Sequence, residues 1–73
     1  MTDTENTRLA EAYGQEYMGK IFYYCLRKTG DSYEAEELTS DITLQVLTAL
    51  HEGVDVLNFP AWVWQIARNR YAL

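Results

Sequence analysis

Residues 26–42 read Leu-Arg-Lys-Thr-Gly-Asp-Ser-Tyr-Glu-Ala-Glu-Glu-Leu-Thr-Ser-Asp-Ile, and within them one helix ends and the next begins. Arg27 and Lys28 stand where cations suit the negative end of a helix. Gly30 fits the left-handed position that closes a helix, because it has no Cβ to oppose positive φ. Asp31 followed three residues later by Glu34 is a capping-box-like start, with a side-chain acceptor for the first-turn N–H groups.

The pattern extends in both directions from this junction. Upstream, Leu9, Tyr13, Tyr17, Ile21 and Tyr24 recur at spacings of three and four, and Met18, Phe22, Cys25 and Leu26 widen the stripe. They predict a helix from about Thr7 to Lys28. Downstream, Ala35, Leu38, Ile42, Val46, Ala49 and Leu50 line one face of a second helix ending at His51 or Glu52. Gly53–Asn58 is a break, after which Pro60 suits the first position of a third helix whose apolar face is Phe59, Trp62, Val63, Ile66 and Ala67. No strand alternation interrupts this series. The predicted fold class is all-α: a three-helix bundle with room for an extra short N-terminal helical turn. Residues 1–73 read as a single domain, with 1–6 expected to be disordered.

Composition narrows the function classes. The 73 residues are 48% hydrophobic and 14% aromatic, enough for a small core without staples. One cysteine, Cys25, cannot form an intramolecular disulfide, and with one histidine, His51, no metal-ligand pattern emerges. A reducing, cytoplasmic setting is the simpler expectation. No apolar run approaches the roughly 20 residues needed to cross a bilayer, and residues 1–6 resemble neither a signal nor a basic transit peptide. No carboxylate pair stands beside a nucleophile or a phosphate-cradling glycine loop, so no enzyme and no cofactor is expected.

The net charge of −5 is unevenly distributed. Residues 1–30 balance four acids with four bases, 31–55 hold seven acids and no Lys or Arg, and 56–73 hold Arg68 and Arg70 with no acid. Such asymmetry points to different surfaces for different partners. On the second helix Glu37, Ser40, Asp41 and Leu44 fall at i, i+3, i+4 and i+7, with Leu47 beyond. This is either a docking face for a basic and apolar protein or a solvated face with stray leucines. On the third helix Trp64, Arg68 and Tyr71 share a face, with Gln65, Asn69 and Arg70 nearby. Aromatic, amide and guanidinium groups suit nucleic acid, through stacking, base-edge contacts and phosphate pairing. The alternative is that Trp64 and Tyr71 complete a broad core.

Three motifs, in order and at matching spacing, resemble region 2 of the extracytoplasmic-function sigma factors, within the sigma-70 superfamily. They are Leu26-Arg27-Lys28-Thr29-Gly30-Asp31, Ala35 through Ile42, and Phe59-Pro60-Ala61-Trp62-Val63-Trp64-Gln65-Ile66-Ala67-Arg68-Asn69-Arg70. The resemblance implies a domain whose second helix docks on the clamp helices of the RNA polymerase β′ subunit, through Glu37, Ser40, Asp41 and Leu44. It implies that the third helix and the loop before it recognise and melt the promoter minus-ten element. The residues touching the non-template single strand would be Val54, Asp55, Asn58, Trp64, Gln65, Arg68, Asn69 and Arg70. An anti-sigma factor is an expected partner, and a membrane is not. Family members continue into a second, region 4 domain, which this chain is expected to lack. Ser40 and Asp41 are shorter than the Gln and Glu usual there, and Gln65 stands where many members carry a base. These departures motivate an alternative, a sigma-like module that binds polymerase or an anti-sigma regulator without strong DNA binding. A third reading, a small enzyme or ligand-binding helical domain, would require a buried polar pocket.

Overall fold

Asp31 begins the longest helix in the way its sequence suggests. Its backbone is extended, and its Oδ1 accepts the Glu34 N–H at 3.0 Å. The reciprocal half of the capping box is replaced: the Asp31 N–H donates to Thr29 Oγ1 (3.3 Å), and that hydroxyl donates to the Asp31 carbonyl (3.1 Å). Gly30 (φ 72°) ends the preceding helix, its N–H donating to the Leu26 carbonyl at 2.8 Å.

In the computed structural model, which describes residues 2–72, these signals join the helices of an all-helical fold. The elements are α1 (Thr2–Ala12), a π-helical turn (Tyr13–Tyr17), α2 (Met18–Thr29), α3 (Ser32–His51) and α4 (Phe59–Ala72). α1, the π turn and α2 follow one another without a break and correspond to the single first helix read from the stripe. That run starts at Thr2, before the apolar stripe begins. Of residues 1–6, expected to be disordered, Met1 lies outside the described residues and 2–6 are helical.

Asn6 accounts for the early start. It is 5% exposed, and its amide donates to the carbonyls of Leu50 (2.9 Å) and Val54 (3.1 Å). A polar residue inside the N-terminal segment thus holds the far end of α3. That end is also closed by Gly53 (φ 88°): the Gly53 N–H donates to Leu50 O (3.1 Å) and the Val54 N–H to Ala49 O (3.1 Å), the Schellman pattern. Two turns further along, at the start of the π turn, buried Tyr13 shares a 2.8 Å hydrogen bond with Thr43, two turns back along α3. The two bonds set the antiparallel register of these helices.

The core is formed by Tyr13, Ile21 and Cys25 on one side and Ala35, Ile42, Val46 and Leu50 on α3, with Val63, Ile66 and Ala67 of α4 closing it. Burial raises the Cys25 thiol above its usual pKa, a shift the Thr39 hydroxyl partly offsets. Cys25, rather than Tyr24, occupies the centre of the α2 stripe, and Tyr24 is displaced to the edge. The cause is the π turn, where the Met18 N–H reaches back to Tyr13 O. An i→i+5 turn contains more residues than an α turn and rotates all that follows. Trp62, read as core, is half-buried and packs on Phe59 with ring centroids 6.0 Å apart.

Asn6→Ala leaves two carbonyls without their side-chain donor and is expected to cost about 1–3 kcal/mol, read by urea denaturation. Amide exchange in Gly53–Asn58 should accelerate with it. Unchanged stability and exchange would show that α1 does not hold the α3–α4 connection.

Candidate functional site

Helical spacing sorts the outward-facing side chains into two surfaces. On α3, Glu37, Ser40, Asp41 and Leu44 are all exposed and share one face, as their spacing predicts. Tyr33, Glu36, Glu37, Ser40 and Asp41 border a shallow hollow of about 480 Å³. Asp41 and Leu44 border a second hollow of about 340 Å³ with Gln45, Thr48 and Glu52. Leu44 is 68% exposed, so its side chain contributes nothing to the core. The face is therefore acidic, open and centred on an uncovered leucine. Tyr33 belongs to it as well and escaped the sequence reading. The neighbouring Glu37 carboxylate raises the Tyr33 pKa, through hydrogen bonding to the protonated phenol and through its charge. The signal was present in their i, i+4 spacing.

The eight residues assigned to nucleic acid do not form one patch. Gln65, Arg68 and Asn69 are exposed along the outer ridge of α4. Trp64 lies on the flank toward α2, half-buried, with its ring edge-on to Tyr24 at 5.5 Å. Trp64 thus packs against the core, as one alternative had it, and stays partly accessible. Arg70 turns the other way, because it projects from the buried side of α4 at the helix end. There it is half-buried and meets Asp41 of α3 at 3.4 Å. One ion pair thus joins a residue of the acidic face to a residue assigned to DNA. With both side chains more than a third exposed, solvent screening leaves such a pair little stabilising effect.

The connecting loop has mixed roles. Val54 and Val56 pack against the core, while Asp55 and Asn58 are exposed. Asn58 caps α4: its Oδ1 accepts the Ala61 N–H at 3.1 Å. α4 accordingly starts at Phe59, and Pro60 takes its second position rather than the first. Leu57 is 98% exposed and is the loop's most accessible apolar group, a feature that no period could reveal because the loop has none.

Sequence reasoning overlooked the cations of α2. Lys20, Arg27 and Lys28 line the same side of the molecule as Trp64 and Tyr71. Lys28 Nζ lies 5.6 Å from the Tyr24 ring centroid and 5.9 Å from that of Tyr71, linking α2 to α4. Lys20 Nζ lies 5.7 Å from the Tyr17 ring. Arg27 and Lys28 were read only as helix-end charges. Among the described residues no group of three or more His, Cys, Asp or Glu is arranged to hold a metal, and no helix is long and apolar enough to cross a membrane.

Asn58→Ala tests the cap separately from any ligand. It should cost about 0.5–2 kcal/mol in thermal or chemical unfolding, and Asn58→Asp should restore most of it. A variant as stable as wild type would remove the capping role.

The surfaces are thus polarised: an acidic face on α3, and an amide, aromatic and cationic side shared by α4 and α2. No curated protein and no solved structure matches the chain. The family model described as Sigma-70 region 2 matches residues 15–72, which spans the end of the π turn, α2, α3, the loop and all of α4. The chain therefore belongs to the sigma-70 region 2 family, whose domains bind RNA polymerase and act in promoter melting at transcription initiation.

Proposed function

We propose that this chain acts as the region 2 domain of an extracytoplasmic-function sigma factor. It docks on the β′ clamp helices of RNA polymerase through α3 and engages the non-template strand of the promoter minus-ten element through α4 and the preceding loop. The observation that carries the reading is the co-facing set Glu37, Ser40, Asp41 and Leu44, exposed together on α3 with no role in the core. An acidic rim around an uncovered leucine suits a partner helix with bases around an apolar position. An anti-sigma factor that covers the same face would compete with polymerase for it.

On the DNA side, the ridge Gln65, Arg68 and Asn69 combines a phosphate partner with two amides able to contact base edges. The exposed loop residues Asp55, Leu57 and Asn58 adjoin the start of α4, where an extruded base would be received. Such a domain opens DNA by binding the unpaired state better than the duplex, which shifts the equilibrium without covalent chemistry. Arg70, held by Asp41, is a weaker candidate for direct contact than Arg68.

The docking test is binding to an isolated β′ clamp-helix fragment. Wild-type protein should bind, and Asp41→Arg and Leu44→Ala should each lose at least tenfold in affinity, with unchanged circular dichroism. Arg70→Ala, which frees Asp41 of its partner, should retain binding. A folded wild-type domain that does not bind the fragment would remove the docking assignment.

The DNA assignment is tested by anisotropy with a single-stranded minus-ten oligonucleotide. Arg68→Ala should weaken binding and lower the salt dependence by about 0.7 in log–log slope, the value for one lost phosphate contact on a single strand. Weaker binding with an unchanged slope would indicate that Arg68 makes no phosphate contact.

A further inference from the structure

The loop between α3 and α4 is held at both ends by the first helical run, which is neither of the helices it joins. At the α3 end the Asn6 amide donates to the carbonyls of Leu50 (2.9 Å) and Val54 (3.1 Å). At the α4 end the Tyr17 ring meets Phe59, the first residue of α4, edge-on with centroids 5.3 Å apart. Asn6 and Tyr17 lie on the continuous stretch of α1 and the π turn, so the two grips are rigidly linked. Between them the loop alternates: Val54 and Val56 pack against the core, while Asp55 and Leu57 are exposed. Among the described residues the backbone of 55–57 makes no hydrogen bond to the bundle. The course of the exposed stretch is therefore set by its two ends and its two valines. Asn6 stands in α1, ahead of residues 15–72 that match the family, and at 5% exposure it is too deep to touch a ligand itself.

We propose that α1 and the π turn form a brace that shapes the α3–α4 loop before an extruded base arrives, with Asn6 and Tyr17 as positioning residues that set the loop's base selectivity. The proposal rests on the reading of Asp55, Leu57 and Asn58 as the residues that receive that base. A loop ordered in advance loses less conformational freedom on binding. It also discriminates better, because it does not rearrange around a base that fits poorly. The side chain at position 6 suits the task. An amide donates to two carbonyls at once, whereas an ionised Asp offers acceptors only and a Ser one donor. The Leu50 carbonyl also accepts the Gly53 N–H at 3.1 Å, so Asn6 grips the same oxygen at which the chain turns out of α3.

The experiment is fluorescence anisotropy of the 73-residue chain with a labelled single-stranded minus-ten oligonucleotide in which each position in turn carries each of the four bases. Wild-type protein should separate the best base from the worst by about fivefold or more at one position at least. Asn6→Ala should bring that ratio within about twofold by weakening the best base, with the worst base and the salt slope unchanged. Tyr17→Leu should act in the same direction, and Tyr17→Phe, which keeps the ring on Phe59, should retain the ratio. Thr43→Val is the control for stability: it removes the Tyr13 partner elsewhere in the same helix pairing and should leave selectivity intact. Each variant is read at a temperature where circular dichroism shows it folded. Asn6→Ser, which keeps one donor, carries the test if the alanine variant does not fold.

If wild type discriminates and the folded Asn6 and Tyr17 variants discriminate equally well, the brace falls and the loop reading stands. A loss equal for all four bases, or a loss of selectivity as large in Thr43→Val, would mark general destabilisation and overturn the positioning role. If wild type shows no base preference at any position while Arg68→Ala weakens binding, the loop reading falls, the brace falls with it and the α4 ridge stands. Absence of binding by the folded wild-type chain would overturn all three.

Discussion

α3 is the constraint on which the remainder depends, because it packs against α1, α2 and α4 alike. Its inner stripe, Ala35, Thr39, Ile42, Val46 and Leu50, is buried, and every other helix completes its own burial against that stripe. A helix used in this way has one face left over. Here that face bears Glu37, Ser40, Asp41 and Leu44, and the rigidity of the packed stripe behind it holds them in fixed relative positions. The proposed docking and the folding therefore use opposite sides of one element, so substitutions on the outer side leave the core without a cavity.

The ends of α3 show why so small a chain holds its register. At the start, Asp31 and Thr29 satisfy first-turn groups and Gly30 turns the chain back. At the finish, the Schellman closure at Gly53 and the Asn6 amide converge on the Leu50 carbonyl. Midway, Tyr13 and Thr43 bond inside the interface, and burial raises the Tyr13 pKa. A hydrogen bond between otherwise unsatisfied buried groups is costly to break, so the Asn6 and Tyr13 contacts resist sliding of the first helical run along α3.

Polarity of the surface follows from the same arrangement. α4 leans on α3 through Val63, Ile66 and Ala67, which directs Arg70 toward Asp41 and leaves Gln65, Arg68 and Asn69 outward. Its other flank meets α2 at Trp64 and Tyr24, bringing cations from the first helical run beside those of the last. A chain of net charge −5 thereby presents a locally cationic surface, which its total charge would not suggest.

Local chemistry made much of this legible from sequence. The Gly30–Asp31 junction, the α3 stripe and its acidic opposite face depend only on helical period and on capping groups a few residues apart, and each stands in the structure where the spacing put it. Contacts between residues far apart in the chain were not legible in this way. Nothing local to Asn6 indicates that it ends α3, nothing near Arg70 that it meets Asp41, and nothing in Lys20 or Arg27 that Trp64 lies beside them. The π turn also rotated α2 so that Cys25, read within the widened stripe, lies at its centre and Tyr24 at its edge, a shift of the stripe's centre that a constant 3.6-residue period cannot anticipate. Sequence determined which helices form and which of their faces are apolar, because those follow from short-range hydrogen bonding and periodic burial. Which polar side chains meet across the bundle was decided only by tertiary packing, because it depends on the rotation and register of whole helices against one another.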